Sequence, residues 1–183
     1  ALISGSHAYG AHAVHANELL FGTIKAGAAK ILRISASNTL ATLSAYAGIS
    51  AINSMARFKN DTIIGLTRTS GTFKTLVKYN GSVISGFRSA NPIVRAVHSI
   101  GIRLYSAEKV ASLSGDVLYY STDLSTFTSA YQAGKNRNIY KIGDVNGSPY
   151  FFVVEQKRVE MFRWDEFAER AYPIYTWENL TNF

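Results

Sequence analysis

At intervals of 41 to 46 residues the chain repeats one pattern: a small turn residue, a burst of apolar and β-prone residues, a gap, and a second apolar burst. The repeats open at Asn17-Glu18-Leu19-Leu20-Phe21, Asn60-Asp61-Thr62-Ile63-Ile64, Gly101-Ile102-Arg103-Leu104-Tyr105 and Gly147-Ser148-Pro149-Tyr150-Phe151. A unit of this length holds a few short strands and too little apolar surface to make a core of its own. Copies must therefore stack to bury it. This predicts an all-β array in a single domain over 1–183, with units at about 8–47, 48–90, 91–134 and 135–177.

Each unit reads as four strands. In the second, the strands are expected over 52–58, 62–67, 73–79 and 83–87, the last two joined by Asn80-Gly81, a hairpin signal because both positions accept positive φ. The first unit reads as 11–16, 19–24, 30–35 and 40–44, the third as 93–99, 102–106, 117–121 and 126–131. The fourth reads as 139–143, 150–154, 159–164 and 171–175. The segment 155–170 is also rich in helix formers, but Glu166 falls on the apolar stripe of such a helix, so the strand is preferred, with a helical turn allowed over 165–169. Pro173 suits an outer edge strand. The third strands end alike, on small polar residues at Ser35, Asn80, Thr122 and Asp165, where the chain must turn. The tail from Trp177 to Phe183 is placed to pair with 1–4 and close a ring.

At 183 residues and 47% hydrophobic content the chain can bury a sizeable core. No apolar run approaches the about 18 residues of a membrane-spanning helix, so no membrane insertion is expected. No basic segment followed by an apolar stretch opens the sequence, so no secretory signal is expected. Cysteine is absent, which excludes disulfides and thiolate metal sites. The net charge of +7 is unevenly spread: up to Arg103 there are eleven Lys and Arg against two acids, and from Leu104 onward eight against ten. Such asymmetry points to an anionic partner, or equally to a solvated basic face. Eleven of the 23 aromatic residues lie between Tyr140 and Phe183.

Over roughly Tyr9 to Thr176 the strand pattern resembles the β-propeller superfamily. The resemblance implies about four blades of four antiparallel strands, closed or part of a larger array. Trp164-Asp165 resembles the dipeptide that ends a WD40 strand, although the other units carry Ile34-Ser35, Tyr79-Asn80 and Tyr120-Ser121 there and no Gly-His pair precedes them. Ser121-Thr122-Asp123-Leu124-Ser125-Thr126-Phe127 resembles the Asp-box hairpin of sialidase-like propellers, with Ser125 for Gly, Phe127 for Trp and a spacing one residue shorter. Such a box implies a turn-stabilising Asp rather than a site. In composition the units are also similar to propellers of phage tail and receptor-binding proteins.

The chemistry-bearing residues divide the functional readings. A sialidase-like hydrolase would draw on Arg33, Arg57, Arg95 and Arg103 for a substrate carboxylate and on a carboxylate pair from Asp116, Asp123, Asp144, Glu155 or Glu160. Acids are nearly absent from the first hundred residues, so enzyme activity is the least favoured reading. His7, His12 and His15 are close in sequence, but alternation along a strand sends His12 and His15 to opposite faces, so no metal or other cofactor is expected. His98 stands alone on an inner strand. No glycine-rich phosphate loop is present.

Lys74 and Lys78 are expected on one strand face, with Arg57, Lys59, Arg68 and Arg88 nearby. Cations two pleats apart can meet successive anionic groups of a polymer, or serve as edge charges that discourage sheet pairing. Tyr119, Tyr120, Trp164 and Trp177 are the aromatics on which a sugar could stack. The leading expectation is a non-enzymatic receptor-binding or adhesion domain, on a virion or outside the cell, whose partner is a surface glycan or other anionic polymer. The alternative is a structural module binding other subunits of a phage tail or similar assembly.

Overall fold

The computed structural model describes residues 8–25, 28–46, 48–71, 74–88 and 91–180. Among them there is no helix, and sixteen strands form three antiparallel sheets of four, eight and four strands. The chain divides into two compact units, residues 1–93 and 94–183, with the boundary at the start of the third repeat.

In the first unit, β1 (Ala8–His15), β2 (Glu18–Lys25), β3 (Ala28–Ile34) and β4 (Leu40–Tyr46) pair in chain order. β5 (Ile49–Phe58), β6 (Asp61–Arg68), β7 (Leu76–Tyr79) and β8 (Ile84–Arg88) do the same. The second unit repeats the plan. β9 (Ile93–Ile100), β10 (Arg103–Lys109), β11 (Asp116–Ser121) and β12 (Thr128–Gln132) form one set, and β13 (Asn138–Val145), β14 (Ser148–Glu155), β15 (Arg158–Asp165) and β16 (Arg170–Trp177) the other.

The burst that marks each repeat is its second strand. From Thr62 to Leu66 every residue of β6 is buried, and so is every residue of β10 from Leu104 to Glu108. A strand with neighbours on both edges and packing on both faces has no wet side, so its sequence runs apolar instead of alternating. The fourth strands are the opposite case: β12 and β16 are largely exposed, as edges are. In the first unit Ile31, Ile49, Ile52, Ile64, Leu66 and Val77 form the core. Gly22 permits the close approach there, since a Cβ on it would lie 2.6 Å from Ile52 Cγ2. The core of the second unit is more aromatic, with Tyr105, Phe151, Phe162 and Trp164 among Leu118, Ile139 and Ile142.

Two kinds of turn recur. Between first and second strands the chain reverses over two residues, and the first of each pair has positive φ: Ala16 at 52°, Lys59 at 53°, Gly101 at 55° and Asn146 at 51°. Tight hairpins impose this because such turns match the strand twist. Between third and fourth strands a side chain caps the loop. Ser35 Oγ accepts from Thr39 N, and Asn80 Oδ1 from Ser82 N and Val83 N. Asp123 Oδ1 accepts from Ser125 N and Thr126 N, and Asp165 Oδ1 from Phe167 N and Ala168 N. The polar residues closing the third strands are thus turn formers, and in the third repeat the cap falls to Asp123, one residue beyond Thr122.

Two expectations need correction. Asn80-Gly81 does not make a two-residue hairpin: β7 ends at Tyr79 and β8 starts at Ile84, and only Gly81 has positive φ, at 99°. The Asn80 side chain takes up the backbone N–H groups and widens the loop. Lys74 precedes β7, which begins at Leu76, so it does not share a strand with Lys78. Within 155–170 the preferred strand is present as β15, followed by a turn over 166–169. The ring-closing pairing of the tail with 1–4, and His7, lie outside the described residues.

Candidate functional site

The expected cations lie in the first unit, and several already have partners. Arg57, on β5, donates to His15 Nδ1, which also lies 3.0 Å from Thr62 Oγ1. Lys59, in the β5–β6 turn, has its ammonium 5.3 Å from the centroid of the Phe58 ring. Lys78 Nζ is 3.8 Å from Asp61 Oδ2. Arg68 and Arg88 end β6 and β8 and are half-buried. Lys74 is exposed, its stem against Gly86.

The expected aromatics lie in the second unit and separate by depth. Tyr119 is half-buried on β11. Tyr120, beside it, has the Arg103 guanidinium 4.5 Å from its ring centroid and the Tyr105 ring at 6.1 Å. Trp164 belongs to the core at 3% exposure. Trp177 closes the outer strand β16 and is 37% exposed.

Trp177 is part of an aromatic row that its own sequence position did not reveal. Its ring lies 4.6 Å from that of Tyr175, and 6.3 Å from that of Phe152. The registers Phe152↔Met161↔Tyr175 and Val154↔Val159↔Trp177 put these side chains on one face of the sheet, because residues across a ladder point the same way. Tyr172, opposite Arg163, extends the row, with the Arg170 guanidinium 5.5 Å from its ring centroid. Beyond Trp177 the chain enters an open cavity of about 260 Å³ lined by Glu155, Gln156, Lys157, Arg158, Glu178 and Asn179. Arg158 sits between Glu160, at 2.8 Å, and Glu178, at 4.0 Å. Lys157 and Arg158 face Glu155 and Glu178, so the cavity carries both signs and has both donors and acceptors.

The five carboxylates considered for glycosidic chemistry are engaged in structure. Asp116 is fully buried, with Oδ2 accepting from Arg95 Nε at 2.7 Å and Ile139 N at 2.8 Å. Asp123 caps its hairpin, and those hydrogen bonds hold its carboxyl well below the usual carboxylate range. Asp144 Oδ1 accepts from Gly147 N at 2.7 Å. Glu155 lies 3.8 Å from Arg137 Nε, and Glu160 pairs with both Arg137 and Arg158.

A polar network in the first unit had no sequence signal, because its members are scattered over some sixty residues. The Tyr79 hydroxyl lies 2.9 Å from Glu18 Oε2 and 2.8 Å from Gly81 O, its single proton serving one at a time. Arg33 Nη1 is 3.3 Å from Glu18 Oε1 and 3.5 Å from the same hydroxyl. The His15 ring meets the Tyr79 ring edge-on at 4.8 Å. Burial raises the Tyr79 phenol above its ordinary value. His12 is exposed and His15 buried, as alternation requires, and no cluster of three metal-binding side chains occurs among the described residues.

No family model matches the chain, and no curated protein matches its sequence. Solved structures do resemble it. An auxiliary nutrient binding protein from Bacteroides thetaiotaomicron superposes with a TM-score of 0.65 at 11% identity, covering 93% of this chain and 42% of its own. A protein from Desulfotomaculum acetoxidans gives 0.62 at 12% identity, covering 95% and 57%. An oligogalacturonate lyase in complex with manganese gives 0.57 at 7% identity, covering 88% and 50%. The chain therefore has the fold of propeller-like, β-sheet-rich proteins and spans about half the length of these relatives or less. At such identities the likeness is one of fold alone.

Proposed function

We propose that the chain is a non-enzymatic glycan-binding module in which each four-stranded repeat is a propeller blade. The observation that carries this reading is the exposed Tyr175–Trp177 pair beside the mixed-charge cavity of Arg158, Glu178 and Asn179. The C–H face of a sugar ring packs on aromatic faces, while its hydroxyls need donors and acceptors at the ring's edge. Tyr and Trp side chains present such surface at low entropic cost, having two χ angles each. In this reading the module is a receptor-binding or adhesion domain acting on a virion or outside the cell, and the cations of the first unit add attraction for acidic glycans.

The test is a glycan array read with the wild-type chain, with Trp177→Ala, and with the Lys74→Ala/Lys78→Ala pair, at low and high salt. Binding that is lost in Trp177→Ala supports the module. Weakening of that binding by salt and by the lysine substitutions assigns an anionic glycan. Glycan binding that survives Trp177→Ala sinks the placement of the site on β16. A discrete oligomer with no glycan bound at all favours the alternative of a structural assembly module, in which the aromatic row is a subunit interface.

A further inference from the structure

The chain carries the same tripeptide, Asn-Gly-Ser, at 80–82 and at 146–148, and nowhere else does asparagine precede glycine. The first copy connects β7 to β8 and the second connects β13 to β14, with both asparagines exposed. Glycine has no Cβ to shield its backbone nitrogen, so that nitrogen can reach the side-chain carbonyl of the asparagine before it. Local sequence makes the two sites equivalent, and the fold makes them different.

At the first site the loop is tied wherever the reaction must move it. Asn80 Oδ1 accepts from Ser82 N at 3.1 Å, Ser82 Oγ at 3.2 Å and Val83 N at 2.9 Å, which aims the carboxamide forward, past Gly81. Gly81 O lies 2.8 Å from the Tyr79 hydroxyl, and a Cβ on Gly81 would lie 3.3 Å from His15 Nε2. At the second site Asn146 and Gly147 both have positive φ, 51° and 78°, and both are exposed. The Asn146 carboxamide has no hydrogen-bond partner among the described residues, and a Cβ on Gly147 would meet nothing within 4 Å. The side-chain tie here falls on the attacking nitrogen itself: Gly147 N donates to Asp144 Oδ1 at 2.7 Å, and that carboxylate can receive the proton.

We propose that Asn146 is a site of spontaneous deamidation and that the fold protects Asn80 from the same reaction. Gly147 N attacks Cγ of Asn146 and closes a five-membered succinimide. The proton of that nitrogen passes through Asp144 to the departing amide, the Cγ–Nδ2 bond breaks and ammonia leaves. Water then adds to either imide carbonyl, giving aspartate or isoaspartate with no change of oxidation state. The reacting form is an opened loop, so the rate follows the cost of opening, and more bonds must break at Asn80 than at Asn146. Gly147 and Ser148 line an open cavity with Arg163, Asp165 and Glu166. The product therefore adds a negative charge beside that cavity, and isoaspartate also lengthens the hairpin backbone there by a methylene. The proposal goes beyond glycan binding and does not depend on it.

The test holds the wild-type chain in mildly alkaline buffer, folded in one sample and unfolded by urea in the other. Cleavage after Lys and Arg puts Asn80 in the peptide 79–88 and Asn146 in 142–157, so mass spectrometry follows each separately. Exchange of the amide for a carboxyl reads as a mass gain, and isoaspartate-specific methyl transfer labels the rearranged product. In the folded chain Asn146 is expected to convert at least about tenfold faster than Asn80. In urea the two should convert at comparable rates, because only the fold separates them. Asp144→Asn is expected to slow Asn146 several-fold, whereas an Asp144 that merely held the loop would speed the reaction when lost.

Equal rates at the two asparagines in the folded chain, or a faster Asn80, overturn the proposal. A difference that persists in urea assigns it to the flanking residues and overturns it as well. Faster conversion in Asp144→Asn removes Asp144 from the step. Should that variant not fold, the folded and unfolded rates of the wild-type chain decide by themselves, and none of these readouts involves a glycan.

Discussion

Arg95 Nε donates to Oδ2 of the fully buried Asp116 at 2.7 Å, while Arg95 Nη2 donates to Asn138 Oδ1 at 2.9 Å. The same Asp116 oxygen accepts from Ile139 N at 2.8 Å. One carboxylate thus ties β9, β11 and β13 together in the second unit. Two backbone bonds flank it, Asp116 N to Arg137 O at 3.0 Å and Ala133 N to Asp116 O at 2.9 Å. The Arg95 guanidinium also lies 5.2 Å from the Tyr140 ring centroid.

Removing one side of such a pair strands the other in a poorly solvated place. Asp116→Ala is expected to cost about 3 to 5 kcal/mol of stability, because Arg95 and Ile139 N both lose their acceptor. Urea denaturation followed by tryptophan fluorescence measures it. A loss no larger than the about 1 kcal/mol of an exposed ion pair would show that the clasp does not hold the unit together.

The hairpin carboxylates set the acid limit of stability. Backbone bonds from Thr126 and Ser125, with the Ser125 hydroxyl, hold the Asp123 carboxyl low, and bonds from Ala168 and Phe167 do the same for Asp165. A carboxyl depressed in the folded state adds stability that is fully present above its unfolded value of about 3.9 and is lost as pH falls towards the folded value. The melting temperature should therefore fall on acidification below about pH 4, and Asp123→Asn should flatten that fall. An unchanged acid limb in Asp123→Asn would remove Asp123 from the account.

His15 acts in a higher window. Burial lowers its pKa below 6.5, and the Arg57 charge lowers it further, while Glu18 and Asp61 oppose both. Thr62 and Tyr79 complete its surroundings. Because Arg57 donates to Nδ1, that nitrogen must stay unprotonated, and protonation there would face one donor with another. The unfolded state then binds more protons than the folded one once pH drops below about 6.5, so stability declines between there and the lower folded value. Denaturation midpoints between about pH 5 and 8 should show this slope in the wild type and lose it in His15→Gln. A slope of the same size in His15→Gln would assign it to other groups.

Legibility of the fold followed depth. The second strands were the plainest feature of the sequence because Ile63, Ile64 and Leu66, or Leu104, Tyr105 and Ala107, are buried on both faces and admit few polar residues. Pro173 was legible as an edge residue because an outer strand best tolerates a missing N–H, and on β16 it lies opposite Phe162 of β15. The turn chemistry was half legible. Polar residues at the ends of the third strands were visible, but whether Asn80 would bend backward with Gly81 or cap forward onto Ser82 and Val83 depends on where β8 re-enters its sheet.

The candidate sites were less legible, since an aromatic or a charge has the same letter whether it packs or faces solvent. Trp164 and Trp177 both lie in the fourth repeat, yet one is a core residue and the other an exposed edge ring. Asp116 passed as a candidate acid and is a buried clasp. Tyr175 and Phe152 drew no attention singly, and only the register Phe152↔Met161↔Tyr175 puts them on one face with Trp177.

The sequence by itself determined the period, the all-β class and the order of strands within each repeat, because turn residues and strand alternation act over a few neighbours. The tertiary structure alone decided which polar groups meet, as Tyr79 meets Glu18 and Arg95 meets Asp116. Those meetings depend on sheet-to-sheet packing and on register, and a one-residue slip in either sends a side chain to the opposite face.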